Sequence, residues 1–154
     1  MSDTESLTFK IGISGTYWDR CPQFEISLDG VVLESGAITA SSDSVEYYEF
    51  VRELEAGEHV LGIRLLGKQD SDVVQNADQT QIEKDLLLNV VSIEIDEVEV
   101  GVCKWRCSEY HTDQPVKFAG ETTSLIKNCV NLGFNGQYQL KFNSPFYIWL
   151  LETL

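Results

Sequence analysis

The residues whose types can do chemistry gather in three places. The first is a polar segment, Gly67 to Lys84, where Asp70-Ser71-Asp72 is followed by Asp78 and, just beyond, Asp85. Carboxylates grouped in this way can supply hard oxygen ligands to Ca²⁺, which takes about six to eight of them. Their spacing is not that of an EF-hand, which sets ligands on alternate residues and closes on a Glu. The plain alternative is a solvated loop in an acidic protein. The second place is Tyr17-Trp18, close after Gly15 at the end of a strand pattern, where a ring can stack on a sugar or plug the end of a core. The third is Cys103 and Cys107, with His111 and Cys129 further along. A structural zinc site shows two tight pairs, and here the second is missing, so free buried thiols are the expectation. On an extended strand Cys103 and Cys107 would share a face yet lie too far apart for a disulfide.

Catalysis finds little to use. The chain has 2 histidines. His59 lies on an apolar strand face and reads as a packed, hydrogen-bonded residue. His111 stands near Asp113 and Ser108, but proximity in a loop is not a triad, and no nucleophile elbow or phosphate cradle is present. We expect no enzyme. Against 25 Asp and Glu there are 11 Lys and Arg, a formal net charge of −14. Such a surface repels nucleic acid and anionic lipid, so neither is an expected partner. The polar, acidic N-terminal residues do not read as a signal peptide, and no apolar run approaches the ~18 residues of a membrane span. A soluble protein with reduced cysteines follows as the expectation.

The elements that must position these groups read as strands. Leu7, Phe9, Ile11 and Ile13 alternate with polar or small residues, as do Phe24, Ile26 and Leu28. Asp29-Gly30 is a hairpin turn, and Glu55-Ala56-Gly57-Glu58 leads into a strand with Leu61, Ile63 and Leu65 on one face. Later, Leu87, Asn89, Val91, Ile93 and Ile95 fall on one side, and a phase shift at Asp96-Glu97 reads as a bulge. Ser108 to Pro115 reads as a polar loop. Gly133-Phe134-Asn135-Gly136 reads as a turn before the alternating Tyr138, Leu140 and Phe142. Ser144-Pro145 fits the N-cap and first position of a short terminal helix. The fold expected is all-β: an antiparallel β-sandwich of the jelly-roll kind with that short C-terminal helix. Residues 1–101 form the module, and residues 102–154 form a β extension and helix packed on the same domain.

Four stretches in order carry a resemblance. They are Phe9 to Thr16, Phe24 to Gly30, Gly57 to Leu65 and Lys84 to Ile95. Together, over residues 7–101, they resemble the calcium-dependent xylan-binding carbohydrate modules of families 36 and 60. The resemblance implies a sandwich whose end loops hold Ca²⁺ against sugar hydroxyls. Asp70 takes the place of the family's acidic residue after the fifth strand, and Asp85 that of the Asp opening the last one. With Asp72 they form the metal set of that reading, and Tyr17 and Trp18, from their own chemistry, are its candidates for stacking on a glycan. The family shows Asn-Asp at the first place and Asp-Arg-Asn-Leu at the second. Here the chain reads Lys68-Gln69-Asp70 and Asp85-Leu86-Leu87-Leu88.

The C-terminal stretches Asn135 to Phe142 and Ser144 to Leu151 resemble the ends of small acidic virion proteins of marine bacteriophages. That resemblance implies a virion structural protein, a capsid decoration or a tail or fibre component, assembled in the host bacterial cytoplasm. Its partners would be other virion proteins or its own symmetry mates, docked through Phe146, Tyr147, Trp149, Leu150 and Leu154. So apolar a tail exceeds one helical face; it either closes the chain's own core or buries against a partner. The favoured function is thus a non-enzymatic virion protein on a carbohydrate-module sandwich. Its rival is a calcium-dependent glycan-binding module without an assembly role.

Overall fold

The computed structural model describes residues 4–39, 44–78, 80–101 and 103–153. Two antiparallel sheets carry the core. In the first, β12 (Asn131–Leu132), β8 (Leu87–Ile95), β1 (Thr4–Thr16) and β4 (Glu46–Glu55) lie in that order, with β9 (Val98–Glu99) folded back on β8. In the second the order is β11 (Glu121–Lys127), β10 (Ser108–Phe118), β13 (Gly136–Ser144), β5 (Gly57–Leu66), β2 (Gln23–Leu28) and β3 (Val31–Ala37). A small hairpin, β6 (Val74–Gln75) with β7 (Ile82–Lys84), stands apart. Two short α-helices, α1 (Cys103–Arg106) and α2 (Phe146–Thr153), and a 3₁₀ turn at Asp70–Asp72 complete the described residues.

Period-two alternation decides what faces inward. Leu7, Phe9, Ile11 and Ile13 of β1 are buried against Leu61, Ile63 and Leu65 of β5 and Tyr138, Leu140 and Phe142 of β13 in one continuous core. Phe9 meets Phe142 across the sandwich with ring centroids 5.9 Å apart, and Phe24 meets Tyr48 at 5.2 Å. This is the antiparallel sandwich that the alternation predicts. The Asp29-Gly30 turn is also as expected, both residues having positive φ, +52° and +84°, as a two-residue hairpin needs. Its carboxylate accepts the Val60 N–H at 2.8 Å and pins the turn to β5.

Local phase and ends differ from the sequence reading in four places. In β8 the buried residues are Leu88, Val90, Ile93 and Ile95, not Leu87 and Val91. Gly12 pairs with Ser92 but Ile13 with Val90, so the bulge is at Val91, whose carbonyl accepts the Lys104 ammonium at 2.7 Å. Asp96-Glu97 instead forms a tight turn, with φ of +53° and +69°, that pairs Val98 with Ile95. Ser108 to Pro115 is strand rather than loop, because Ser108, Tyr110 and Thr112 point inward from β10 while the residues between them face out. Cys103 to Arg106 is a helical turn, not a strand.

The fourth difference concerns the start of α2. Ser144 ends β13, and the capping group is Glu5, far away in sequence. Its Oε1 accepts the Ser144 hydroxyl at 2.6 Å and the Phe146 N–H at 2.7 Å. A carboxylate there also suits the positive end of the helix dipole. Of the tail residues, Phe146 is fully buried, and Trp149 and Leu150 pack on the same core. Phe146 and Trp149 stand edge-on to Phe142, at 6.5 and 6.3 Å. Phe146 is therefore a core residue with no surface left for a partner, while Trp149 and Leu150 are half-buried on that core. Tyr147, Ile148 and Leu151 face out, and Tyr147 donates to an Asp96 carboxylate oxygen at 2.9 Å. Leu154 lies outside the described residues.

Because the tail seals the end of the core, Phe146→Ala is expected to cost about 3–5 kcal/mol, the range for emptying a buried aromatic site. Val51→Ala, on the exposed face of β4, should stay within about 0.5 kcal/mol. Urea unfolding of the two variants checks both values.

Candidate functional site

Four connections meet at one end of the sandwich: the one after β1, the one after β5, the approach to β8 and the approach to β13. Where the connection after β5 and the approach to β13 meet the middle of β10, a cleft of about 500 Å³ opens, within the range of small-ligand sites. One wall is Lys68, Gln69, Asp70 and Val73; the other is Asp113, Gln114 and Val116, with Gly133, Phe134 and Asn135 between. β10 leaves its ladder with β11 between His111 and Val116, which frees Asp113 and Gln114 to form that second wall. Gly136 is required here for close approach. A Cβ on it would lie 2.3 Å from the His111 carbonyl oxygen, so any side chain would push β13 off β10.

Hydrogen bonds fix the walls to each other. The Asn135 side chain accepts the Lys68 N–H at 2.8 Å and donates to the Lys68 carbonyl at 2.9 Å. The Asn135 carbonyl accepts the Asp113 N–H at 2.8 Å, and Arg64 holds the Asp113 carboxylate at 2.7 Å. Buried Tyr110 bonds the Phe134 carbonyl and accepts the Phe134 N–H at 2.9 Å. Phe134 thus sits on a rigid backbone with part of its ring packed against the core.

The three carboxylates expected to hold Ca²⁺ come to the same end of the fold but do not converge. Asp72, 2% exposed, is gripped by Arg20 through both oxygens, at 3.0 and 2.5 Å, and also accepts the Gln69 N–H at 2.7 Å. Asp85 is bound by the Lys68 ammonium at 2.6 Å. Asp70 is exposed on the cleft wall, in a single 3₁₀ turn. Among the described residues no three His, Cys, Asp or Glu side chains group as a metal site. Ca²⁺ needs many converging oxygens, and here two of the carboxylates already hold protein cations, so the donor set does not fit the ion.

Trp18 and Tyr17 stand near the same loops. The Trp18 indole donates to the Asp72 carbonyl at 2.8 Å, and the Lys84 ammonium lies 4.8 Å from the Trp18 ring centroid. Tyr17 packs on the core and donates to the Thr39 carbonyl at 2.9 Å. Sequence reasoning missed Arg20, Lys68, Gln114, Phe134 and Asn135 as site residues. The available signal was the scarcity of cations in an acidic chain, which makes each Lys or Arg between acidic residues a candidate partner.

The thiol and histidine groups offer no second centre. The 4 cysteines are free, and burial beside Cys107 pushes the Cys103 thiol up to about 11, away from the thiolate a metal or electrophile needs. The Ser108 hydroxyl donates to the Lys104 carbonyl at 2.6 Å, and Asp113 is held by Arg64, so neither serves His111.

Two solved structures share this fold. One, described as vCBM60 in complex with galactobiose, matches with a TM-score of 0.56 at 9% identity, covering 86% of this chain and 96% of its own. The other is a selenomethionine form of vCBM60, described under an evolutionary link by circular permutation between two families of calcium-dependent carbohydrate binding modules. It matches with a TM-score of 0.55 at 10% identity, covering 87% of this chain and 89% of its own. No family model matches the chain, and no curated protein does. At this identity the likeness is one of fold, and it agrees with the sandwich expected from residues 7–101.

Electrostatics bound the pH range of this arrangement. The Arg20 guanidinium beside Asp72 holds its carboxyl below the usual carboxylate range, against the opposing effect of burial. At the other end, burial alone would lower His59. Its bonds to the Asp29 carboxylate at 2.6 Å and the Glu55 carbonyl at 2.7 Å outweigh burial and raise its pKa, since both are acceptors and favour the doubly protonated ring. The lowered Asp72 adds stability above its unfolded pKa, lost as pH falls through the folded value. The raised His59 adds stability in full below its unfolded pKa, near 6.5, lost as pH rises through the folded value. Melting temperature should therefore plateau between about pH 4.5 and 6 and decline on both sides. Melts across pH check this: Asp72→Asn should flatten the acid limb, and His59→Gln the alkaline one.

Proposed function

We propose that the chain is a non-enzymatic glycan-binding module that receives neutral carbohydrate in the cleft between Gln69-Asp70 and Asp113-Gln114. The observation that carries this reading is the cleft itself, on a fold whose structural neighbour is described with galactobiose. A sugar ring offers hydroxyls that both donate and accept, and a C–H face that packs on apolar surface. Gln69 and Gln114 provide amides, Asp70 an acceptor, and Phe134 and Val73 the apolar surface. The net charge of −14 opposes uronate or sulfated chains and leaves neutral ones as the ligand class.

A place in a bacteriophage virion is a second reading, supported by Tyr147, Ile148 and Leu151 on the exposed side of α2. The two readings are compatible in space. β13 starts at Gly136, beside the cleft, and ends at Ser144, where α2 begins, so a docked tail leaves the cleft open at the opposite end of the sandwich.

Binding to a panel of neutral galactans and xylans, read by calorimetry, tests the first reading. Asp70→Ala and Gln114→Ala are each expected to weaken it about tenfold, near 1.4 kcal/mol, without shifting the melt. No binding to any of the panel, or binding that both substitutions leave intact, would overturn it. For the second reading, Ile148→Glu with Leu151→Glu should keep the melt within a few degrees while abolishing incorporation into particles. Incorporation that survives the double substitution refutes docking through this face.

A further inference from the structure

We propose that Lys68 is a built-in cation at the cleft, holding Asp85 and the Gly133 carbonyl together so that neither the fold of this end nor glycan binding in it depends on Ca²⁺. The binding half rests on the glycan reading above; the stability half stands without it.

The Lys68 side chain is only 10% exposed, and its ammonium lies 2.6 Å from both Asp85 Oδ1 and the Gly133 carbonyl oxygen. A charge so far removed from water is tolerated when partners of this kind compensate it. Its backbone is held as firmly, since the Asn135 side chain bonds both the Lys68 N–H and carbonyl. One residue therefore ties together three segments that are distant in sequence: the end of β5, the approach to β8 and the approach to β13. Asp85 Oδ1 also accepts the Leu86 N–H at 2.7 Å, so the carboxylate is engaged from two sides. Tying loops together around an acidic centre is work that elsewhere falls to a bound cation, and here the side chains do it.

Arg20 repeats the arrangement one step outward. It grips Asp72 through both oxygens and donates to the Gly67 carbonyl at 2.8 Å, next to Lys68. A metal ion entering either place would have to expel a cation from its carboxylate. An ammonium has three N–H groups, and two are used by Asp85 and Gly133. Because Lys68 lines the cleft, the third N–H is the one left to offer a sugar hydroxyl.

Three measurements decide this. Wild-type melts in millimolar CaCl₂ and in EDTA are expected to coincide within about 1 °C; a rise of roughly 5–10 °C with Ca²⁺, the effect of a well-saturated site, would overturn the proposal. Lys68→Gln should lower the midpoint by several degrees equally in both media, and a melt indistinguishable from wild type would count against it. Should that variant not fold, the wild-type pair decides alone. Third, binding of galactobiose or a neutral galactan should persist in EDTA, whereas binding lost in EDTA and restored by Ca²⁺ refutes the claim. No binding in either medium would refute the glycan reading and with it the binding half, leaving the melts to judge the stability half.

Discussion

The seam between β1 and β13 is the constraint on which the rest of this molecule depends. Each strand lies inside its own sheet, β1 between β8 and β4, β13 between β10 and β5. Each turns a row of apolar side chains toward the other, with Phe9 and Phe142 in contact near its tail-sealed end. Burial at roughly 25 cal/mol per Å² of apolar surface makes that seam the main source of stability. A one-residue slip would turn the whole row to solvent. The register so enforced brings Leu66-Gly67, Asp85 and Gly133-Asn135 to one end and Ser144-Pro145 to the other.

Charge then organises what the seam leaves at its ends. In a chain with 25 acids and 11 bases, cations are scarce, and their placement is informative. Lys68 sits against the half-buried Asp85 carboxylate and Arg20 against the buried Asp72, and Lys104 caps the carbonyl exposed by the bulge at Val91. At the far end Glu5 does the converse, accepting from the first N–H of α2. Each contact joins residues far apart in sequence, so the loop ends are held by pairs that no local pattern reveals. The cleft inherits its rigidity from them, and a preformed site spends less binding free energy on ordering itself.

Much of the fold was legible in the residues. The alternation in β1, β2, β5 and β13 identified their buried faces, Asp29-Gly30 its hairpin, and Ser144-Pro145 a terminal helix, although Ser144 itself ends β13. β8 was misphased because a bulge adds one residue without changing composition, and Asp96-Glu97 offered a more visible place to put it. β10 was missed since Ser108, His111, Thr112 and Asp113 are polar, although the burial of Ser108, Tyr110 and Thr112 makes this an inner strand. The site was legible only in outline. Asp70, Asp72, Asp85 and Trp18 do lie at one end of the sandwich, but the Lys and Arg that hold them carried no motif.

Strand period and turn chemistry are local properties, set by which side of a pleat each residue occupies and which backbone angles it tolerates; they sufficed for an all-β chain with a short terminal helix. Electrostatic partnership is not local. Whether Asp85 faces a metal, water or an ammonium depends on what lies within about 4 Å of it, where Coulomb attraction is strongest. Only the packed sheets bring Lys68 and Gly133 to that distance, and only the packed tail shows that Phe146 belongs to the core. The tertiary structure therefore decided which carboxylates are free to meet a ligand, while the sequence alone determined the strands that carry them.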